Sequence, residues 1–203
     1  SRRRRPAGER SRRAILDSAA QLATVEGLEG LSIGRLARAV GISKSGLYAH
    51  FRSKQELQLA TIDTAGEIFD REVLTPGRDA APGTVRVLAL SDAFLSHVER
   101  GVFPGGCFFT STSAEMNVRP GPVRDRIGEF VGSWLGTIED AVREAQELGE
   151  LVPDADAGQI AFEINALLVT ANLAYLLFSA PPVLERARRG IRDRLQIAAA
   201  ISA

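Results

Sequence analysis

The sequence predicts an all-α protein with a basic helical head and a larger helical body. Three observations carry this. Apolar residues recur at steps of three and four along most of the chain, and no run of alternating apolar and polar residues is bounded by turns. Ser, Pro and Gly stand where helices should start and stop. Charge is also divided: the 203 residues carry no net charge, yet residues 1–60 hold +7 and residues 61–203 hold −7. A basic head on an acidic body points to a polyanionic partner.

Composition narrows the class. Hydrophobic residues are 45% and charged residues 25% of the chain, the balance of a soluble globule rather than a disordered, collagen-like or disulfide-rich one. The single cysteine, Cys107, allows no internal disulfide and no multi-cysteine zinc site, and favours a reducing, cytoplasmic setting. The basic run Ser1–Pro6 is not followed by an apolar stretch, so no secretory signal is expected. Residues 160–178 are apolar enough to be weighed as a membrane span. Glu163, Asn165 and Asn172 within them favour a buried soluble helix, since an acid at mid-bilayer costs roughly 2.5–3.5 kcal/mol.

Taken in order, residues 1–8 read as a flexible basic arm and residues 9–25 as a first helix, stopped at Gly27. Ser32 caps a short helix, Ile33 to Val40, broken by Gly41. Ser43 caps another, ending near Phe51. Ser53 caps a longer helix, 54–74, with Glu56 completing a capping box and Thr75-Pro76-Gly77 as its stop. Residues 76–83 read as a linker. Helices are expected over 84–100 and 107–117, separated by the glycine-rich loop 101–106. A long helix over 123–148 carries the stripe Val123, Ile127, Phe130, Trp134, Ile138, Ala141, Ala145, Leu148. Asp154 or Asp156 opens the 160–178 helix. The last helix starts at Pro181-Pro182 and keeps Leu184, Ile191, Leu195 and Ala198 on one stripe, with Arg186, Arg189, Arg192 and Arg194 off it. That stripe reads as the seam of a dimer.

Chemistry concentrates at residues 31–57, LSIGRLARAVGISKSGLYAHFRSKQEL. Two short helices meeting at a glycine-containing turn form a helix-turn-helix. Leu36, Ala37 and Val40 should face inward from the first, Ile42 should plug the turn, and Leu47 and Phe51 should face inward from the second. The second helix then presents Ser43, Lys44, Ser45, Tyr48 and His50 outward, small, polar or basic side chains suited to a DNA major groove. Ser32 and Ser53 place helix N-termini where phosphates dock, with Lys54 beside one of them.

This stretch resembles the TetR family of bacterial transcriptional repressors. The resemblance lies in G-I-S-K-S-G-L-Y-A-H-F-R-S-K-Q-E-L at residues 41–57, preceded by I-G-R-L-A-R-A-V. It implies about nine helices per subunit, with a three-helix DNA-binding head at residues 9–53 and an effector-binding and dimerisation domain at 54–203. Helix 54–74 links the two, and the last two helices pair two copies. By the same resemblance Ser32 and Lys54 touch phosphate, Ser43, Lys44 and Ser45 approach bases, and Tyr48 and His50 contact phosphate or base. One departure stands out. The position two after Ser32 often bears a base-contacting side chain, and here it is Gly34; Arg35 is the candidate to compensate.

The expected function is a sequence-specific regulator released from a double-stranded DNA operator by a small molecule. Buried amides need partners, so Asn165 and Asn172, on one face with Tyr175, are candidate effector contacts; Phe130, Trp134 and Met116 are candidates to line the same cavity, with plain core packing as the alternative. No cofactor or metal is expected. Two other classes compete: a helical interaction protein that has lost DNA binding, and an enzyme assembled around Cys107 and His97. Gly41-Ile42-Ser43-Lys44-Ser45 lacks the Gly before Lys and the preceding strand of a phosphate loop.

Overall fold

The computed structural model describes residues 4–199. Among them are nine continuous helical stretches and no strand. They are α1 (Arg4–Glu26), α2 (Ile33–Val40), α3 (Lys44–Tyr48), α4 (Lys54–Phe69, continued by a π-helical turn Asp70–Leu74 and a last α-helical turn Thr75–Asp79), α5 (Thr84–Glu99), α6 (Phe108–Met116), α7 (Pro122–Glu147), α8 (Ala157–Phe178) and α9 (Pro182–Ala199).

Local chemistry accounts for most of the ends. Ser32 Oγ accepts the Arg35 N–H at 3.2 Å and opens α2. Gly41, at φ 70°, closes it, with the Ile42 N–H on the Ala37 carbonyl at 3.0 Å. Ser43 accepts from the Gly46 N–H at 3.0 Å, and Ser53 from the Glu56 N–H at 3.0 Å. The Glu56 carboxylate reaches back to the Arg52 N–H at 2.8 Å, one residue beyond the usual capping-box donor. Asp156, not Asp154, caps α8 through the Gln159 N–H at 3.0 Å.

The largest departures from the sequence reading are at two boundaries. α1 begins at Arg4, so most of the expected arm, residues 1–8, is helical; residues 1–3 lie outside the described residues. Arg is a good helix former, and Pro6 stands in the first turn, where its missing N–H has no intrahelical partner to lose. The linking helix does not stop at residue 74 but runs to Asp79. The wider π turn directly precedes Pro76, whose ring would otherwise crowd the carbonyl four residues earlier. Gly77 serves packing: a Cβ there would lie 2.1 Å from Leu90 Cδ2.

By their contacts the residues form two compact units. The first joins the chain up to Ile68 with Phe103–Glu129; the second joins Phe69–Val102 with the chain from Phe130 on. In the first, α1 packs on α2 and α6, and α2 on α3. Its core includes Ile15, Leu16, Leu28, Leu31, Leu36, Leu47, Phe51 and Phe108. Gly105 presses on the end of α1, donating its N–H to Thr24 Oγ1 at 3.1 Å. A Cβ on Gly105 would meet the Thr24 carbonyl oxygen at 1.9 Å. Backbone cannot swing aside as a side chain can, so Gly105→Ala is expected to destabilise the protein by about 1–3 kcal/mol, read as a lowered midpoint in urea.

In the second unit α8 packs on α9 and α5, and α9 on α5. The α9 stripe Leu184, Ile191, Leu195, Ala198 is buried here within the subunit, so it is not the dimer seam the sequence reading took it for. Its periodicity was read correctly; its partner was not. The face left apolar and open belongs to α8: Phe162, Leu173 and Leu177 are 63%, 54% and 75% exposed, with Ala166 and Thr170 between them. By length and composition α8 is long and apolar enough to cross a membrane.

Candidate DNA-reading head and the second unit

The helix-turn-helix rests on Leu36, Ala37, Leu47 and Phe51, all buried. Val40 is half-buried, and Ile42, expected to plug the turn, is exposed. Gly41's left-handed turn directs the chain outward there, and the Ile42 N–H, rather than its side chain, closes the turn. Above this core Ser32, Arg35, Ser43, Lys44, Ser45, Tyr48 and Lys54 are exposed, and His50 is half-buried beside Phe51. Tyr48 is 57% exposed, so its ring is not core. Ser43 is occupied as a cap and also shares a hydrogen bond with Ser45 Oγ at 3.0 Å.

Two of the candidate cations are held by carboxylates. Arg35 forks onto Glu26 of α1, Nε lying 2.8 and 2.9 Å from its two oxygens, and this holds the Glu26 carboxyl below its ordinary range. Lys54 Nζ donates to the Glu29 carbonyl at 2.5 Å and to its carboxylate at 2.7 Å. Lys54 is the main cause of a lowered Glu29 pKa, with Arg119 a weaker contributor. Glu115 of α6 accepts the Leu28 and Glu29 N–H groups at 2.7 and 2.8 Å, and buried Gln58 donates to the Leu28 carbonyl at 3.0 Å. The loop before α2 is therefore tied from three sides. Neither Glu115 nor Gln58 was among the residues singled out from sequence, because bonds across such separations leave no local signature.

The sequence reading also missed a contact across the motif. Lys44 lies over Gly34: a Cβ on Gly34 would stand 3.1 Å from Lys44 Cε.

In the second unit Phe69 is the centre of an aromatic cluster. Its ring meets Trp134 at 5.2 Å, Phe130 at 5.3 Å, His97 at 6.1 Å and Phe94 at 6.3 Å between centroids, all edge-on. Of the candidate effector residues, Trp134 and Asn165 are brought together, the indole N–H donating to Asn165 Oδ1 at 3.0 Å. Asn172 is buried and Tyr175 half-buried on the same helix. Met116 is buried in the first unit, on α6. A cleft of about 330 Å³ runs between α5 and α9, lined by Leu88, Leu95, Ile191, Arg188 and Arg192.

His97, named above in the competing enzyme reading, is fully buried. Burial pushes its pKa down to about 4, against a smaller upward pull from Glu72. The folded state therefore binds fewer protons than the unfolded chain between pH 6.5 and 4. Stability should be complete above about pH 6.5 and fall by about 3 kcal/mol as the pH drops to 4. His97→Gln should flatten that part of a denaturation-midpoint-versus-pH curve. Burial likewise raises the Cys107 thiol, which makes it a poor thiolate.

A family model described as "Tetracyclin repressor-like, C-terminal domain" matches residues 83–191, more than half of the chain. A second, "Bacterial regulatory proteins, tetR family", matches residues 15–61. The chain belongs to the TetR family. This TetR-family chain is 27% identical over 142 residues to "Transcriptional regulator AcuR" of Cereibacter sphaeroides, a match covering 68% of this chain and 64% of that one. It thus spans somewhat less than two thirds of that relative's length. A TetR transcriptional regulator from Chloroflexus aurantiacus shares its fold with a TM-score of 0.88 and 28% identity, over 94% of this chain and 96% of that one. AibR, solved with isovaleryl coenzyme A and operator DNA, matches with a TM-score of 0.66 and 24% identity, over 89% of this chain and 95% of that one. Family and fold are those of transcriptional regulators.

Proposed function

We propose that the TetR-family chain works as a cytoplasmic homodimer that represses transcription from a specific operator and leaves it when a small molecule binds the second unit. The observation that carries this is the helix-turn-helix itself: Ser43, Lys44, Ser45 and Tyr48 are exposed on one short helix whose other face, through Leu47, is locked onto α2. Such a surface has donors for base edges and phosphates and little else to do. Ser32, Arg35, His50 and Lys54 complete the proposed DNA contacts. Arg35 and Lys54 would exchange a carboxylate for a phosphate on binding, at little net cost in charge pairing.

Dimerisation is supported by the open apolar face of α8; on α9 Ile197 is exposed as well. A second copy presenting the same face covers it, and isologous pairing sets two reading heads on a two-fold operator. An effector site is supported by the aromatic cluster and the Trp134–Asn165 hydrogen bond, an apolar wall with one polar anchor. Phe130, Asn172 and Tyr175, which lie in the same unit, remain candidate contacts; Met116, in the first unit, does not. AibR offers a precedent in fold for one chain meeting both an acyl coenzyme A and operator DNA. The effector shifts the operator equilibrium only by as much as it prefers the DNA-incompetent dimer.

The test is fluorescence anisotropy with duplex from upstream of the chain's own gene, against random duplex, at two salt concentrations. Saturable binding with sequence preference is expected, with affinity falling by roughly 0.9 log units per log unit of salt for each phosphate neutralised. Equal, weak binding to both duplexes would overturn the reading for that promoter. A library selection that also enriched no motif would overturn it altogether.

A further inference from the structure

We propose that Gly34 determines operator specificity by what it leaves out: the slot of its missing side chain seats the Lys44 ammonium, which reads a base there. The inference rests on the DNA-binding reading above. Gly34 has no backbone reason to be glycine. It lies in the first turn of α2 and is not among the residues with positive φ, so alanine would form that helix better. What its hydrogen permits is the passage of Lys44, whose Cε and Nζ lie 3.1 and 3.5 Å from where a Cβ would stand. Nor does local helix energetics account for Lys44, since a cation in the first turn of α3 sits at the positive end of the peptide dipoles. Unlike Arg35 and Lys54, Lys44 has no carboxylate partner among the described residues.

The first turn of α2 and the start of α3 thus meet where the exposed Lys44 crosses Gly34. An ammonium only donates, so it selects an edge with acceptors and no donor. In the major groove guanine offers two such acceptors side by side, O6 and N7, whereas thymine offers O4 alone beside a methyl group. A side chain at position 34 would claim this space for itself; glycine hands the reading over to α3.

The experiment is selection from randomised duplex DNA by the full chain, in wild-type, Lys44→Ala, Gly34→Ala, Gly34→Leu and Gly34→Leu/Lys44→Ala forms. Melting temperatures of the Gly34 variants report that they fold. The wild type should enrich a two-fold symmetric motif with guanine at one column per half-site. Lys44→Ala should lose about tenfold discrimination at that column and leave the others intact. Gly34→Leu should change the same column, Gly34→Ala more weakly. In the double variant Gly34→Leu should add no further loss of guanine, because its effect acts through Lys44. An unchanged motif in Lys44→Ala or in Gly34→Leu would overturn the proposal while leaving the DNA-binding reading intact. So would a Lys44→Ala variant that keeps the motif but loses affinity evenly with a shallower salt slope, the sign of a phosphate contact. A wild-type pool with no motif would overturn both readings.

Discussion

Leu173→Glu is expected to dissociate the protein into a monomer of 21.8 kDa and to weaken operator binding by about a hundredfold or more. Leu173 sits mid-way along the open face of α8, one turn from Thr170 and Leu177, and is more than half exposed in the single chain. Its burial is therefore not needed to fold the subunit, and a glutamate there meets water in the monomer. In a dimer paired through this face the same glutamate would be buried in an apolar row, Phe162, Ala166, Thr170, Leu173, Leu177, that holds no cation to pair it. Operator affinity should follow, because a second head tethered to the first binds its half-site intramolecularly, and that gain vanishes on dissociation. Sedimentation equilibrium reads the mass, and anisotropy reads the affinity. A variant that stays dimeric with unchanged operator affinity would show that α8 does not form the seam.

Phe69→Ala should cost about 3–5 kcal/mol, a melting temperature lower by about 6–20 °C. Phe69 is 2% exposed and stands edge-on to Phe94, His97, Phe130 and Trp134 at once. Removing the ring leaves a cavity whose walls are rigid rings on two helices, α5 and α7, which cannot close over it, and forfeits four aromatic contacts together. The residue also immediately precedes the π turn, so the loss should be felt along α4. Phe69→Leu keeps most of the volume and should recover much of the loss. A Phe69→Ala melting temperature within about 2 °C of wild type would mean that the cluster contributes little to the packing that holds the fold.

The parts legible in the sequence were those decided within a few residues. The bounds of α2 follow from Ser32 and Gly41, because a side-chain oxygen satisfying a free N–H and a left-handed closing residue act whatever the rest of the chain does. The same holds for Ser43, Ser53 and Asp156. Where punctuation met packing, packing won. Thr75-Pro76-Gly77 reads as a stop, yet α4 passes through it by widening one turn and pressing Gly77 against Leu90. Leu148 continues the α7 stripe on paper and is exposed in fact, since Gly149 turns the chain away just after it.

The candidate site divides the same way. That Ser43, Lys44, Ser45 and Tyr48 would be exposed was readable, because the cap and three residues of a five-residue helix cannot all face a core already filled by Leu47 and Phe51. That Arg35 and Lys54 are held by Glu26 and Glu29, and that Lys44 crosses Gly34, was not: each depends on which backbone lies opposite. By itself, then, the sequence determined the class, the helix-turn-helix, its basic outer surface and most helix ends, all consequences of composition, period and local capping. Only the tertiary structure decided partners. It buried His97, turned the α9 stripe inward and left the α8 face open, because periodicity states that a face is apolar but not which surface will cover it.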